Sequence, residues 1–592
     1  INRQMKEFFK FVFASMLGVI LSFFVLILLS IFTIIGIAST VGEESQVEVE
    51  DQSVMHLRLD YPITERTSKN PLENLNVFGI ESERNIGLND ILISIEKAKT
   101  DKKIKGIYID VSYIQSGYAA IEEIRNKLID FKKSGKFVLA YSEVYTKGAY
   151  YLASAANKVY LNPQGMIDFR GFSTEITFFK GALDKLEIEP QIIKVGTYKS
   201  AVEPFILDKM SKANKEQVTS FLGSLYDHYI TKIAESRNIP KDSLLTVANL
   251  VLVRTAEDGV KYRLVDGLKY KDEVLSELKS LTGIVQSKDL NSVAIADYVS
   301  IANEQKSSSS NRIAVVYAVG EIISGEGNDE TIGSERISRA IRKARTDKKV
   351  KAVVLRINSP GGSALASDVI WREVELTKKV KPVMVSMGDV AASGGYYIAC
   401  NADSIFAQPN TITGSIGVFG IIPNMQKFFN NKLGITFDGV KTGKFADISI
   451  TRPLQEDEKM MLQQEINQIY KTFTQKVADG RRKSVSYIDS IGQGRVWSGS
   501  EALKNGLVDR LGNIDDAIRA AAKKAKLKEY KIVEFPSQKD PFQEIFETSS
   551  DKIRTYFTKQ ELGDSYIYYQ QLKSVINRSG MQARIPFEIT VK

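Results

Sequence analysis

A chain of 592 residues with 43% hydrophobic and 26% charged side chains has an ordinary globular composition and is long enough for two or more domains. Its formal charge of +9 is the difference between 80 basic and 71 acidic residues spread along the sequence. With no basic-aromatic block beside it, that charge gives no ground for a nucleic-acid partner. Cys400, the single cysteine, excludes an internal disulfide and a cysteine-rich metal site, and the two histidines, His56 and His228, leave a Ser-His-Asp triad poorly supplied.

From Phe11 to Ala38 the chain runs about 28 residues without a charge. At ~1.5 Å per residue a helix of that length crosses a ~30 Å hydrocarbon layer, and it exceeds the apolar region of a cleavable signal peptide. The expectation is an uncleaved anchor in a bacterial cytoplasmic membrane. Arg3, Lys6 and Lys10 precede it, whereas Glu43, Glu44, Glu48, Glu50 and Asp51 follow. Basic residues stay inside, so the N-terminus is expected in the cytoplasm and everything after about Thr40 on the extracytoplasmic side.

Beyond the anchor the chain repeats itself. Lys97-Ala98-Lys99-Thr100-Asp101-Lys102-Lys103 returns as Lys343-Ala344-Arg345-Thr346-Asp347-Lys348-Lys349, an offset of 246 (343 − 97), and each copy then enters an apolar strand, Ile107 to Val111 or Val353 to Ile357. Tyr150-Tyr151-Leu152-Ala153 matches Tyr396-Tyr397-Ile398-Ala399 at the same offset, and Pro163 matches Pro409. A tandem duplication follows, with residues 1–45 as stub and anchor and copies at 50–305 and 311–592 joined near the polar Lys306 to Ser310 segment.

In the second copy the pattern predicts strand 313–319, helix 334–346, strand 352–357, helix 364–378, strand 383–386, helix 394–401 and strand 404–407. That alternation predicts an α/β domain with a largely parallel sheet and ligands beyond the strand C-termini. A long helix is expected at 455–480, with its counterpart at 212–239. The segment Gly580 to Pro586 is read as folding back on the body, with no role assigned.

The chemistry gathers between Ser386 and Gly420. An apolar strand leads through Ala391-Ala392-Ser393-Gly394-Gly395 into a helix, so a hydroxyl sits at a tight turn with glycines that admit a substrate backbone and a helix N-terminus whose free N–H groups face a developing oxyanion. Ser393 is the candidate nucleophile. Asn358-Ser359-Pro360-Gly361-Gly362 also ends a strand, and its exposed N–H groups can complete an oxyanion hole with Gly394. The first copy has Lys147 in place of Ser393, and Tyr113 to Gly117 in place of the Pro-Gly-Gly turn, so only the second copy is equipped.

Four segments carry a family resemblance: NSPGGS (358–363), AASGGYY (391–397) and TGSIGVFG (413–420) in the second copy, and GTYKSAVEPF (196–205) in the first. Together they resemble the signal peptide peptidase A family, also called protease IV, in its long duplicated form, over essentially the whole chain. The resemblance implies two crotonase-like, Clp-protease-like α/β repeats and an assembly of four subunits shaped as a bowl. It also implies a serine endopeptidase that degrades cleaved signal peptides and other hydrophobic peptides without a cofactor. Residue by residue, it assigns the nucleophile to Ser393 and the general base to Lys199. The oxyanion donors fall on Gly394 and on Gly361 or Gly362, and Ser415 becomes the residue that hydrogen-bonds the lysine.

The chemistry stands beside that resemblance. A serine hydroxyl needs a base, and with two histidines a lysine is the natural one. A free lysine titrates near ~10.4, so the site must lower that by roughly three units, ~4 kcal/mol, for the amine to accept a proton near neutrality. Lys444, at nearly the corresponding position of the second copy, is a rival base, and Lys147 is read as a relic. Two other readings stay open at this point: acyl-CoA chemistry, which crotonase-like folds also host, and a non-catalytic membrane scaffold with a fossil site.

Overall fold

The computed structural model describes residues 2–41, 48–68, 85–302, 309–538 and 581–585, together with positions 558, 563 and 566. Residues 306–308 of the expected linker, as well as Glu43, Glu44, Gly580 and Pro586, lie outside the described residues. The apolar N-terminal run forms a single helix, Asn2–Val41, whose Glu7–Leu26 stretch has a mean hydropathy of 2.2 and is entirely exposed.

Two sheets carry the duplication. The first runs Gly267–Leu268, Lys158–Ile167, Phe137–Tyr145, Ile104–Asp110, Ser53–Leu57, Ser292–Ala294, all neighbours parallel. The second repeats that order as Arg510–Leu511, Ser404–Ala407, Val383–Ala392, Val350–Ser359, Arg312–Val319, Lys531–Phe535, again parallel. It extends further: Ile412–Gly414 pairs with the end of Val383–Ala392, and Val496–Ser498 closes that edge antiparallel. Helices cover both faces, so the central strands read as nearly unbroken apolar runs and not as alternating ones.

Matched hydrogen bonds repeat across the copies. Tyr150 donates to Leu264 O at 2.7 Å and Tyr396 to Leu507 O at 2.8 Å. Lys136 donates to Ala98 O and Asp101 O, and Lys381 to Ala344 O and Asp347 O. Tyr151 donates to Glu122 and Tyr397 to Asp368, both carboxylates lying one helix away. The tyrosine pair is thus a packing device in each half.

The copies are locked together. One apolar cluster continues from the first sheet into Ile313, Val315, Val354 and Met384 of the second. Arg356, fully buried, donates through Nε to Glu65 Oε2 at 2.8 Å and lies 2.8 Å from Glu123, so two first-copy carboxylates hold one second-copy guanidinium. Asp389 in turn accepts from the N–H groups of Ala119 and Ala120 at the start of the Tyr118–Lys132 helix, at 2.9 and 3.1 Å.

A third sheet, absent from the sequence reading, spans both copies: Thr331–Gly333, Glu321–Ile323, Gly361–Ser363, Gln582–Arg584, Val418–Asn424, Glu189–Val195. Its last pair joins the halves through seven antiparallel positions, from Val418 opposite Val195 to Asn424 opposite Glu189. This ladder delivers the Gly196–Pro204 segment of the first copy to the Ser393 turn of the second.

Candidate active site

The Val383–Ala392 strand carries the chain to Ser393, whose φ of 54° and ψ of −112° form a conformation that non-glycine residues avoid at a cost of roughly 1–3 kcal/mol. The surroundings impose it. Ser393 N–H donates to Gly414 O at 2.8 Å, and Ser393 O accepts from Tyr397 N–H at 2.8 Å, which opens the Gly394–Ala399 helix. The result is a hydroxyl pushed out of the turn toward the third sheet.

Lys199 arrives from the other copy. The Glu189–Val195 strand ends in Gly196 at φ 105°, and Tyr198 N–H donates to Gln493 O at 2.8 Å. The lysine backbone then lies against Gly494, where a Cβ would fall 2.6–2.7 Å from Lys199 backbone and side-chain atoms, and its stem lies over Gly417, where a Cβ would come within 3.1 Å of Cδ. At Gly494, with φ 79°, only glycine permits the approach. The Lys199 amine sits 2.9 Å from Ser393 Oγ, 3.1 Å from Ser415 Oγ and 3.4 Å from Ser415 O. Lys199, Ser393 and Ser415 are all fully buried, and among the described residues no ion pair reaches the amine. Desolvation alone therefore drives the Lys199 pKa well below the ordinary lysine value.

The glycine loop meets the same turn. Gly361 and Gly362 both have positive φ, 97° and 158°, and a Cβ on Gly361 would lie 2.8 Å from Gly394 N. Gly361 N–H is already given to Ser359 Oγ at 3.1 Å, so the loop's outward donor is Gly362. The structure thus brings together Ser393, Lys199, Ser415, Gly361, Gly362 and Gly394. Two other lysines lie elsewhere: Lys444 is exposed and paired with Asp457, and Lys147 is 3.0 Å from Asp168.

Some contributors gave no sequence signal. Gln217, fully buried, donates to Tyr198 O at 3.0 Å and to Ser200 Oγ at 2.6 Å on either side of Lys199, and accepts from Val496 N–H at 3.1 Å. Behind the glycine loop, Asn358 accepts from Val390 N–H at 3.1 Å and donates to Glu65 at 3.1 Å, tying the loop to the interlock around Arg356. A buried glutamine on a long helix and a first-copy glutamate become recognisable only when the chain is folded.

The model of Peptidase family S49 matches this chain twice, over residues 130–285 and 375–528. The chain belongs to peptidase family S49. Among relatives of this S49 chain are two proteins named Protease 4. One, from Salmonella typhi, is 38% identical over 88% of this chain and 86% of its own length; the other, from Haemophilus influenzae, is 38% identical over 84% and 82%. A chloroplastic serine protease SPPA from Arabidopsis thaliana is 33% identical over 76% of this chain and 67% of its own. A solved ClpP1 mutant from Listeria monocytogenes covers 34% of this chain and 94% of itself at 19% identity and a TM-score of 0.24, so the tandem α/β assignment rests on the sheets and the family match. This S49 peptidase is a serine protease.

Proposed function

We propose that the chain is a membrane-anchored endopeptidase in which Ser393 is the nucleophile and Lys199 the general base, and that it degrades cleaved signal peptides and other hydrophobic peptides. The observation that carries the mechanism is the buried amine 2.9 Å from the Ser393 hydroxyl, with no carboxylate among the described residues to hold its charge. A neutral Lys199 takes the proton from Ser393 Oγ as it attacks the peptide carbonyl. Gly362 and Gly394 N–H groups receive the oxyanion, with Gly361 shaping the loop. Lys199 then gives its proton to the leaving amine and activates the water that releases the acyl group, while Ser415 keeps the amine aimed. In this division residues 50–305 supply the base, and 311–592 supply the nucleophile and the oxyanion hole.

The substrate class is supported by a relative from Enterococcus faecium named putative signal peptide peptidase SppA, 31% identical over 43% of this chain and 80% of its own length. The exposed apolar helix supports anchoring, and Arg3, Lys6 and Lys10 before it support an N-terminus in the cytoplasm and a catalytic body outside. Assembly has its own support. The segment of the second copy corresponding to the Lys199 region leaves Phe437, Val440 and Phe445 exposed, whereas its first-copy counterpart docks on the other half of the chain. Docking of that exposed segment on the next molecule would build a closed assembly of copies, four by the resemblance.

A serine-reactive peptidyl phosphonate applied to the detergent-solubilised chain tests the mechanism. Labelling of Ser393 that is lost in Lys199→Ala supports it; labelling that survives in Lys199→Ala and disappears in Lys444→Ala moves the base into the second copy. No labelling at all leaves the scaffold reading in its place.

A further inference from the structure

Residues 581–585, Met-Gln-Ala-Arg-Ile, lie where a peptide would have to lie. Their strand, Gln582–Arg584, runs antiparallel between Gly361–Ser363 and Val418–Asn424, the two strands that border Ser393. The register is Gly361 opposite Arg584, Gly362 opposite Ala583 and Ser363 opposite Gln582, with Phe419 opposite Gln582 on the other side. Ile585 N–H donates to Pro360 O at 2.9 Å, and Ala364 N–H donates to Met581 O at 3.2 Å. Antiparallel hydrogen-bonded pairs recur every second residue, so the pair between these two, Gly362 and Ala583, is of the bonded kind, and Gly362 N–H faces the Ala583 carbonyl.

The glycines locate that carbonyl independently. A Cβ on Gly361 would fall 2.1 Å from Ala583 O, and one on Gly394 would fall 3.0 Å from it. The oxygen therefore sits at the meeting point of the glycine loop and the residue after Ser393. A strand that only covered an edge would have no reason to bring a peptide carbonyl to that point.

Side chains along the strand alternate. Ala583 is fully buried, and Ile585 packs with Val218, Phe221, Ala392 and Ile412. On the other face Arg584 Nη1 pairs with Glu321 Oε2 at 2.6 Å, the arginine side chain largely shielded and the carboxylate partly exposed. Glu321 begins the Glu321–Ile323 strand, which pairs with the glycine loop through Ile322 and Gly362, so its position relative to the cleft is set by the sheet.

Residues 581–585 thus lie along the cleft in the register of a peptide, and we propose that Glu321 is a specificity-determining residue selecting a cationic side chain immediately after the cleaved bond. In this register the bond presented to Ser393 is the one following Ala583, so the acyl position takes a small residue. Main-chain pairing of the β-augmentation kind supplies affinity, and the Glu321 carboxylate supplies the choice of side chain. The proposal rests on the assignment of Ser393 and Lys199 above.

The test uses the full chain in detergent with two quenched-fluorescence peptides, one containing Met-Gln-Ala-Arg-Ile and one with Glu in place of Arg. The arginine peptide is expected to show a kcat/KM roughly tenfold or more above the glutamate peptide, as a charge-assisted pair of this kind supplies. Glu321→Gln should collapse the ratio and Glu321→Arg should invert it. An arginine-to-glutamate ratio near one, or one that Glu321→Gln leaves unchanged, overturns the role of Glu321. If the wild-type chain is inactive and Ser393 takes no phosphonate label, the catalytic assignment is what fails. Affinity of the two peptides measured by anisotropy on Ser393→Ala, with and without Glu321→Gln, then still decides the role of Glu321.

Discussion

The same strand-to-helix turn occurs twice in this chain, and the two versions differ in a few atoms of consequence. In the first copy Thr146, at an ordinary extended φ of −69°, leads into the Lys147–Ala153 helix, and the Lys147 amine finds Asp168 at 3.0 Å. In the second, Ser393 takes the strained φ of 54°, the helix starts one position later at Gly394, and a Pro-Gly-Gly loop faces it. Strand order, tyrosine anchors and lysine staples are common to both. Architecture is thus common to both copies, and under the proposed mechanism reactivity depends on one strained residue, one loop of glycines and one lysine with no counter-charge among the described residues.

The comparison can be broken most severely at that turn. Ser393→Ala or Lys199→Ala should lower kcat/KM on a hydrophobic peptide by about 10⁴-fold or more, whereas Lys147→Ser should create no second site, since it restores a hydroxyl without base or glycine loop. Next comes the interlock between the halves. Arg356→Met leaves Glu65 and Glu123 buried without their cation and should cost about 3–5 kcal/mol in urea unfolding. Gly494→Ala places a Cβ 2.6–2.7 Å from Lys199 atoms and is expected to lower kcat about 10²-fold by displacing the amine, with a smaller effect on KM.

The subtlest prediction concerns protons. Between the depressed folded pKa of Lys199 and the ordinary 10.5, the unfolded chain holds a proton that the folded chain does not, so stability should climb with pH across that window and level off above it. Lys199→Met should remove that slope. It should also stabilise the inactive protein near pH 7 by on the order of 1.4 kcal/mol for each unit of depression, read as the thermal midpoint against pH. A slope retained in the methionine variant would assign the proton to another group.

Much of the fold was legible because its signals are local. Helices expected at 334–346 and 364–378 occur as Ser334–Thr346 and Ala364–Lys378, where apolar spacing and the flanking Asp347 and Ser363 mark the ends. The offset of 246 marks the duplication in the sequence itself. The third sheet was illegible, because its strands are three to seven residues long and pair at separations set by tertiary structure, such as Val195 with Val418. At the site, Ser393 and the glycines announce themselves by turn chemistry, and Lys199 became visible through its resemblance-bearing segment. Gln217 and Glu321 are polar residues on a helix and a strand, Glu65 sits in the bend after the short Ile63–Thr64 strand, and only packing distinguishes them from solvated ones. The segment 581–585 was expected to fold back, yet nothing in its residues said which strands would receive it.

The amine and the hydroxyl stand 194 positions apart in the sequence. At a synthesis rate of roughly 5–20 residues per second, the ribosome makes the lysine about 10–40 seconds before the serine. Even then the dyad does not exist until the ladder between Glu189–Val195 and Val418–Asn424 closes. Under the proposed mechanism a growing chain thus carries no assembled active site until that pairing between the two halves is made.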